Sequence, residues 1–108
     1  MRYRAKEHWG SNLWSFIHTI TIIDFENSEI HNNKILPILN NLKDCIPCYH
    51  CKELFIFYLN KLDKLDLKDN MILFKWSVDL HNHVNKKLNK PEWTYETALD
   101  KWTYKILG

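Results

Sequence analysis

The sequence has few of the residues that interrupt helices. It contains only two glycines and three prolines in 108 residues, whereas an all-β protein with many tight turns needs residues that tolerate unusual backbone angles. It also lacks any apolar run near the roughly 20 residues that a membrane helix requires. No apolar segment with a small-residue cleavage site follows the basic N-terminus. These absences exclude a turn-rich β fold and predict a helical chain without a membrane span or a secretory signal.

The chain also lacks a large excess of charge of either sign. Its 15 basic and 13 acidic residues are mixed along the sequence and give a net charge of +2, which is not the pattern of a protein that binds nucleic acid. Hydrophobic residues make up 45% and aromatic residues 14% of the chain, enough apolar surface for a folded core. Length and composition together predict one domain over residues 1–108.

Apolar residues recur at helical spacing in the N-terminal half. The pattern predicts a first helix over roughly residues 8–23 and then a polar loop over residues 24–33. A second helix follows, with one apolar stripe formed by Ile35, Leu36, Leu39 and Leu42. Pro47 has no backbone N–H to donate, so it suits the first turn of a third helix. That helix is expected to begin beside Cys48 and to end near Asn60.

The C-terminal half contains two more helical patterns. Residues 61–68 alternate leucine with charge but have no partner strand, so we expect a loop or short turn there. Asp69 is expected to cap a fourth helix that ends at Pro91, with apolar residues Leu73, Trp76, Leu80, Val84 and Leu88. Thr94 is expected to cap a fifth helix, with Tyr95, Ala98, Leu99, Trp102 and Ile106 on one side. The sequence therefore predicts an all-α fold, a compact bundle of four helices plus a fifth short helix.

All three cysteines lie within seven residues, at Cys45, Cys48 and Cys51. They cannot join distant parts of the chain as the disulfides of a small secreted protein do. Cys48 and Cys51 form a C-x-x-C motif at a predicted helix start, where unpaired N–H groups and the helix dipole favour a thiolate. The motif alone fits either a redox pair or half of a metal site. A thioredoxin-like motif is excluded because the βαβ pattern is missing.

The metal interpretation is a zinc-binding interaction module. Zinc accepts mixed thiolate and imidazole ligands, so Cys45, Cys48 and Cys51 with a histidine such as His50 or His83 could supply four. Structural zinc sites usually divide their ligands between separate turns, whereas these cysteines share one helical face. The zinc module therefore stands as the alternative to redox chemistry.

Two predicted helices carry polar or aromatic residues that suit a ligand. Trp14 and His18 are one turn apart on the first helix, which places a hydrogen-bonding ring beside a flat aromatic. The fourth helix presents polar and apolar residues along one edge: His81, Asn82, Asn85 and Leu88. Asparagine is a poor helix former, so these side chains are expected to be held by partners such as a ring edge or phosphates. The alternatives are a core tryptophan and a solvated helix surface.

The order and spacing of these segments resemble the Erv/ALR family of FAD-linked sulfhydryl oxidases, and particularly its short viral members. The resemblance covers nearly the whole chain. Its matching residues are Trp9, Gly10, Trp14 and His18, then Pro47, Cys48 and Cys51, then Trp76, His81, Asn82, Val84, Asn85, Leu88, Lys90 and Pro91, then Lys101 and Trp102. The family consists of small five-helix domains that use oxygen to form disulfides.

The resemblance implies an FAD site at the mouth of the bundle, with no metal. Trp14 and His18 contact the flavin, with Trp9 and Gly10 in the same site, and Cys48 and Cys51 are the redox pair beside the isoalloxazine ring. The adenine and ribose side is lined by His81, Asn82, Asn85, Leu88 and Lys90, with Trp93 near the rim. Lys101 and Trp102 close the site.

The implied function is an FAD-dependent thiol oxidase that forms disulfides in reduced protein substrates and reduces oxygen to hydrogen peroxide. A substrate thiolate would attack Cys48, the sulfur expected to be more exposed, and release Cys51 towards the flavin. The family implies a homodimer, for which the apolar faces of the first two helices are the expected interface. A viral factory in the host cytoplasm, or the virion, is the expected location.

The sequence departs from the family at several positions. Ser11 and Ile23 stand where members often have arginine and tyrosine, so those two FAD contacts do not carry over. Val78 and Tyr95 stand where a structural disulfide usually joins the last two helices, so packing alone is expected to hold the fifth helix. Cys45 is not required by the family pattern, and it is expected to be a half-buried residue at the end of the second helix.

Overall fold

The computed structural model describes residues 2–22, 28–69 and 71–107, with side chains described at Gly10 and within 12–22, 29–69 and 71–102. Five α-helices occur in these ranges: α1 (Arg2–Ile22), α2 (Ser28–Leu42), α3 (Tyr49–Leu59), α4 (Ile72–Lys87) and α5 (Tyr95–Leu107). Two short 3₁₀ turns lie at Lys43–Cys45 and Leu62–Lys64. The described residues contain no β-strand, and the predicted all-α fold is confirmed.

Helix α4 lies at the centre of the bundle, in contact with α1, α3 and α5, and α1 also contacts α2 and α5. The main core lies between α1, α2, α3 and α4 and includes Ile17, Leu39, Phe55, Leu73 and Trp76. A second core cluster joins α5 to α1 and α4, formed by Ile22, Phe74, Val78, Ala98 and Trp102. The fifth helix has 13 residues and is shorter than α1, α2 and α4, as predicted.

Helix α3 begins and ends where the sequence predicted. Cys48 is its N-cap, with extended backbone at φ −95° and ψ 122°, and Asn60 is its C-cap. Pro47 does not lie in the first turn as predicted, because it precedes the N-cap. The residue before a proline avoids the helical region, and Ile46 is accordingly extended at φ −80° and ψ 116°.

The predicted loop over residues 24–33 is wrong from Ser28 onward, because α2 begins there. Asn32 explains the error: it is buried in α2, and its side-chain amide donates to the carbonyls of Leu67 at 2.8 Å and Asp69 at 3.2 Å. A polar residue in this segment therefore holds the α3–α4 connection instead of facing solvent. The first helix also begins earlier than predicted, at Arg2 instead of about residue 8.

The predicted ends of α4 need two corrections. Its N-cap is Met71, not Asp69, because the Asp69 carboxylate accepts from the Met71 N–H at 2.9 Å and so stabilises the turn before the helix. The helix ends at Lys87, four residues before Pro91.

The short turn predicted over residues 61–68 is confirmed by the 3₁₀ turn at Leu62–Lys64. Thr94 caps α5 as predicted, since its hydroxyl accepts from the Thr97 N–H at 3.1 Å. None of the helices in the described part of the chain is long and apolar enough to cross a membrane.

Candidate functional site

A cavity of about 670 Å³ opens between α1, α3, α4 and α5. Most residues predicted for the FAD site line it: Gly10, Trp14, Cys51, His81, Asn85, Leu88, Lys90, Lys101 and Trp102. The rest of the wall was not predicted and is apolar: Leu13, Ile17, Ile46, Leu54, Phe55, Leu80 and Val84. Helical spacing predicts these residues to be buried, but a core position and a cavity wall have the same sequence pattern.

Aromatic rings from three helices stack along one side of the cavity. Trp14 of α1 lies almost parallel to His81 of α4, with ring centroids 3.9 Å apart and an interplanar angle of 7°. His18 lies behind them, with its centroid 5.1 Å from that of His81 and 4.7 Å from that of Trp102. Segments far apart in sequence thus form one aromatic cluster, in which the predicted Trp14–His18 pairing is completed by His81.

His18 is fully buried, and both of its ring nitrogens have partners in α4. Its Nδ1 lies 2.9 Å from Ser77 Oγ, and its Nε2 lies 2.9 Å from His81 Nδ1. Ser77 was not predicted from the sequence, although it lies one turn before His81 on the same face of α4. His18 therefore supports the cavity wall from behind through His81.

Both histidines are neutral at pH 7. Burial lowers the pKa of His18 to about 3, assisted by the adjacent His81 and the charge of Lys101. Burial likewise lowers the pKa of His81 to about 4, assisted by Lys101 and Lys90. The two lysines thus place positive charge at the cavity without a positive charge on the imidazole rings.

The end of α4 positions Lys90. Asn89 adopts the left-handed backbone conformation at φ 58°, the Lys90 N–H donates to the Asn85 carbonyl at 2.8 Å, and the Asn89 N–H donates to the Lys86 carbonyl at 3.2 Å. This is the Schellman motif, which asparagine tolerates better than other non-glycine residues. On the facing α5, the Lys101 ammonium lies 4.2 Å from the centroid of Trp93.

Asn82 and Trp93 do not line the cavity, but they tie α4 to the segment before α5. The Asn82 side chain accepts from the Trp93 N–H at 2.8 Å and donates to the Trp93 carbonyl at 2.7 Å. Nearby, the Tyr95 hydroxyl donates to Asp79 at 2.7 Å, and Val78 packs in the second core cluster. The prediction that packing alone holds the fifth helix is therefore wrong, because side-chain hydrogen bonds also join it to α4.

The two cysteines of the C-x-x-C motif differ in position. Cys51 lines the cavity, whereas Cys48 caps α3, and its sulfur accepts from the Cys51 N–H at 3.3 Å. Cys45 is exposed in the turn Lys43–Cys45, so the prediction of a half-buried residue at the end of the second helix is wrong. The chain leaves the α-helix after Leu42, which turns Cys45 outward.

No three His, Cys, Asp or Glu side chains among the described residues converge as a metal site requires. The zinc alternative therefore has no support from the cysteine cluster. Of the remaining predicted positions, the side chains of Trp9 and Ser11 and all of Ile23 lie outside the described residues.

The model of the Erv1/Alr family matches residues 11–103, a range that contains every residue lining the cavity except Gly10. The chain belongs to the Erv1/Alr family. It is 29% identical over 102 residues to a probable FAD-linked sulfhydryl oxidase of Acanthamoeba polyphaga mimivirus, with 89% of this chain and 69% of the relative covered.

Two other viral relatives carry the same activity in their names. The chain is 38% identical over 61 residues to a putative FAD-linked sulfhydryl oxidase of Frog virus 3, covering 56% of this chain and 41% of the relative. It is 34% identical over 85 residues to an FAD-linked sulfhydryl oxidase of African swine fever virus, covering 77% and 70%. No solved structure matches the chain. The prediction of an FAD-dependent thiol oxidase of this family is confirmed.

Proposed function

We propose that this Erv1/Alr family member uses Cys48 and Cys51 as its redox pair and binds FAD in the cavity that Cys51 lines. The observation that carries the proposal is the composition of that cavity. Its wall contains one cysteine of the C-x-x-C motif together with aromatic, lysine and asparagine side chains. A reactive sulfur and a wall suited to a large planar cofactor thus share one space.

The cavity walls have the chemistry that the parts of FAD require. The rings of Trp14 and Trp102 and the surrounding aliphatic side chains suit flat ring systems. The ammonium groups of Lys90 and Lys101 suit the diphosphate. The buried amide of Asn85 can both donate and accept hydrogen bonds, as base and ribose recognition needs. These residues would hold the cofactor.

Other predicted residues support the site from outside the cavity. His18 positions His81 through the contact between their ring nitrogens. Asn82 fixes the backbone of Trp93, and through it the start of the segment that carries Lys101. We assign these residues to positioning, and we retain Trp9 as a predicted cofactor contact.

The thiol chemistry is a two-step disulfide exchange. A substrate thiolate attacks the Cys48 sulfur of the oxidised pair, which breaks the Cys48–Cys51 bond, forms a mixed disulfide and releases Cys51 as a thiolate. A second substrate thiolate attacks the substrate sulfur of the mixed disulfide, releases Cys48 and completes the substrate disulfide. Bound FAD would supply the acceptor for the electron pair of the reduced cysteines and the means of passing that pair to oxygen, which would yield hydrogen peroxide.

The positions of the two sulfurs support this division of roles. Cys51 lines the cavity, so its thiolate is released on the cofactor side. Cys48 lies at the N-terminus of α3, where the helix dipole and the Cys51 N–H stabilise negative charge on its sulfur when it leaves.

The enzyme is further proposed to act as a homodimer through α1 and α2. Three large apolar side chains on these helices are exposed: Phe16 at 45%, Ile30 at 53% and Ile38 at 41%. Phe16→Glu should shift the sedimentation coefficient from that of a dimer to that of a monomer. Phe57→Glu, at an exposed phenylalanine of α3, is the matched control and should remain dimeric.

The viral relatives support a viral origin for the chain. We place its action on reduced protein thiols in the host cytoplasm, at the viral factory, or in the virion. Labelling with an antibody to the chain in infected cells tests this location, and signal restricted to the secretory pathway would contradict it.

The decisive experiment is purification of the whole chain followed by an absorption spectrum, metal analysis and an oxygen electrode. We expect yellow protein with an oxidised-flavin spectrum and oxygen consumption that depends on added dithiol. Colourless protein that contains zinc would reject the proposal and favour a zinc module.

A further inference from the structure

A continuous chain of hydrogen bonds leads from the backbone of α4 to the wall of the cavity. Ser77 Oγ lies 2.6 Å from the carbonyl oxygen of Phe74 and 2.9 Å from His18 Nδ1. His18 Nε2 lies 2.9 Å from His81 Nδ1, and His81 lines the cavity. Ser77 itself has no exposed surface.

The chemistry of the groups fixes the direction of each bond. A backbone carbonyl can only accept, so the single hydroxyl hydrogen of Ser77 points to Phe74. Ser77 Oγ must then accept from His18, and His18 carries its proton on Nδ1. The neighbouring Thr21 does not change this result, because its hydroxyl lies 2.8 Å from the Ile17 carbonyl and 3.4 Å from Ser77.

The same logic continues to His81. A neutral His18 that is protonated on Nδ1 has only a lone pair on Nε2, so His81 must donate to it from Nδ1. His81 is neutral as well, and its remaining nitrogen, Nε2, is therefore an acceptor. One buried serine thus determines the protonation of two imidazole rings.

We propose that Ser77 is a positioning residue of the cofactor site, which fixes the tautomers of His18 and His81 so that His81 presents a hydrogen-bond acceptor to FAD. The proposal rests on the assignment of the cavity to FAD. The matching group on the cofactor is a donor, either an amino group or a ribose hydroxyl. Without the Ser77 hydroxyl, His18 can carry its proton on Nε2 and donate to His81, which reverses the chain and turns His81 Nε2 into a donor.

The test combines tautomer assignment by NMR with flavin affinity. Two-bond ¹H–¹⁵N correlation spectra of the FAD-loaded protein, labelled at histidine, should show His18 and His81 protonated on Nδ1. Ser77→Ala should move protons to Nε2 on both rings. It should also weaken flavin binding roughly three- to tenfold, the cost of one mismatched neutral hydrogen bond.

Thr21→Val is the matched control, because Thr21 is equally buried beside Ser77 but is not one of the residues that link Phe74 to His81 by hydrogen bonds. It should leave both tautomers and the flavin affinity unchanged. Rings protonated on Nε2 in the unmodified protein would overturn the proposal even if Ser77→Ala fails to fold. Unchanged tautomers and affinity in a folded Ser77→Ala protein would overturn it too.

The two proposals can fail separately. If the cavity is not the FAD site, the tautomers of the unmodified protein stay as assigned, while Trp102→Ala keeps its full flavin content. If the cavity is the site but Ser77 has no role, Trp102→Ala loses flavin and Ser77→Ala does not.

Discussion

Residues of the same type lie close together in this sequence but have different surroundings in the fold. Three pairs show the difference between the cavity and the rest of the molecule: His81 and His83, Cys51 and Cys45, and Asn85 and Asn82. The first of each pair lines the cavity. The second of each pair lies elsewhere. His83 contacts Tyr58, Cys45 is exposed, and Asn82 binds the backbone of Trp93. Residue type and nearness in sequence therefore do not determine a role here. For His81 and His83 the reason is local, because a step of two residues turns a helix by about 200°.

The cysteines give the largest expected difference. Cys48→Ser and Cys51→Ser should each abolish thiol oxidation while FAD stays bound, because the proposed redox pair would carry electrons and would not anchor the cofactor. Cys45→Ser should keep both its flavin and its turnover of a small dithiol, with any defect confined to protein substrates. Oxygen consumption with each variant measures this.

Two results would contradict that assignment. Turnover near the parent rate in Cys48→Ser or Cys51→Ser would remove the pair from the mechanism. Loss of small-dithiol turnover in a flavin-bound Cys45→Ser protein would place Cys45 on the main electron path.

Substitutions of His81 and His83 should show the next largest difference. His81→Ala should weaken flavin retention at least about tenfold and lower the melting temperature with it, because a ligand bound only by the folded state stabilises that state. Trp102→Ala should do the same. His83→Ala, at a ring that contacts Tyr58 Oη at 3.1 Å outside the cavity, is the control and should keep its flavin.

Flavin content after gel filtration, together with thermal melting, distinguishes these variants. Full flavin and unchanged melting in both His81→Ala and Trp102→Ala would show that the cavity is not the cofactor site.

Acid should lower the free energy of unfolding through the two buried histidines, His18 and His81. The pKa of His18 is about 3 and that of His81 about 4 in the fold, against about 6.5 when unfolded. As the pH falls below about 6.5, the unfolded chain takes up protons that the folded chain does not. The free energy of unfolding should therefore fall by about 2 kcal/mol between pH 7.5 and pH 5.5, after allowance for solvent screening and coupling of the pair.

Urea titrations of the flavin-free protein at the two pH values measure this. His81→Gln should reduce the pH dependence, because it removes a group whose pKa is lowered in the fold. A slope in His81→Gln equal to that of the unmodified protein would mean that the cavity histidine is not the group that resists protonation.

Removal of the link between α4 and α5 should have a smaller effect. Asn82→Ala leaves the N–H and carbonyl of Trp93 without their side-chain partner and should cost about 1 kcal/mol of stability. Tyr95→Phe removes one exposed hydrogen bond to Asp79 and should cost only a few tenths, roughly 0.5 kcal/mol or less. Chemical denaturation ranks them, and a larger loss in Tyr95→Phe would contradict this account.

Features with a local cause could be predicted from the sequence. The start of α3 follows from Pro47 and Cys48, the cap of α5 from Thr94, and the approach of Trp14 and His18 from one helical turn. The features that were missed depend on partners far away in sequence. Polar residues after Ser28 suggested a loop because the carbonyls that bind Asn32 belong to residues more than thirty positions later.

The same reason explains why parts of the site could not be predicted from the sequence. Asn82 and Asn85 share one helical edge. Asn82 is a structural link because Trp93 lies beside it, whereas Asn85 lines the cavity. Ser77 has no motif of its own, and its partner His18 is 59 residues away in sequence. Periodicity predicts which side of a helix is buried, but the partner decides what a buried polar group does.

Gly10, at the wall of the cavity, lowers the stability of helix α1. It lies inside α1, where glycine is less stable than alanine by about 1 kcal/mol, and a methyl group built at its Cα would meet nothing within 4 Å. Gly10→Ala is therefore a ready route to a more thermostable flavin-free chain, since it adds helix propensity without a clash. The glycine thus leaves about 1 kcal/mol of helix stability unused at a cavity wall where the proposed cofactor would need room.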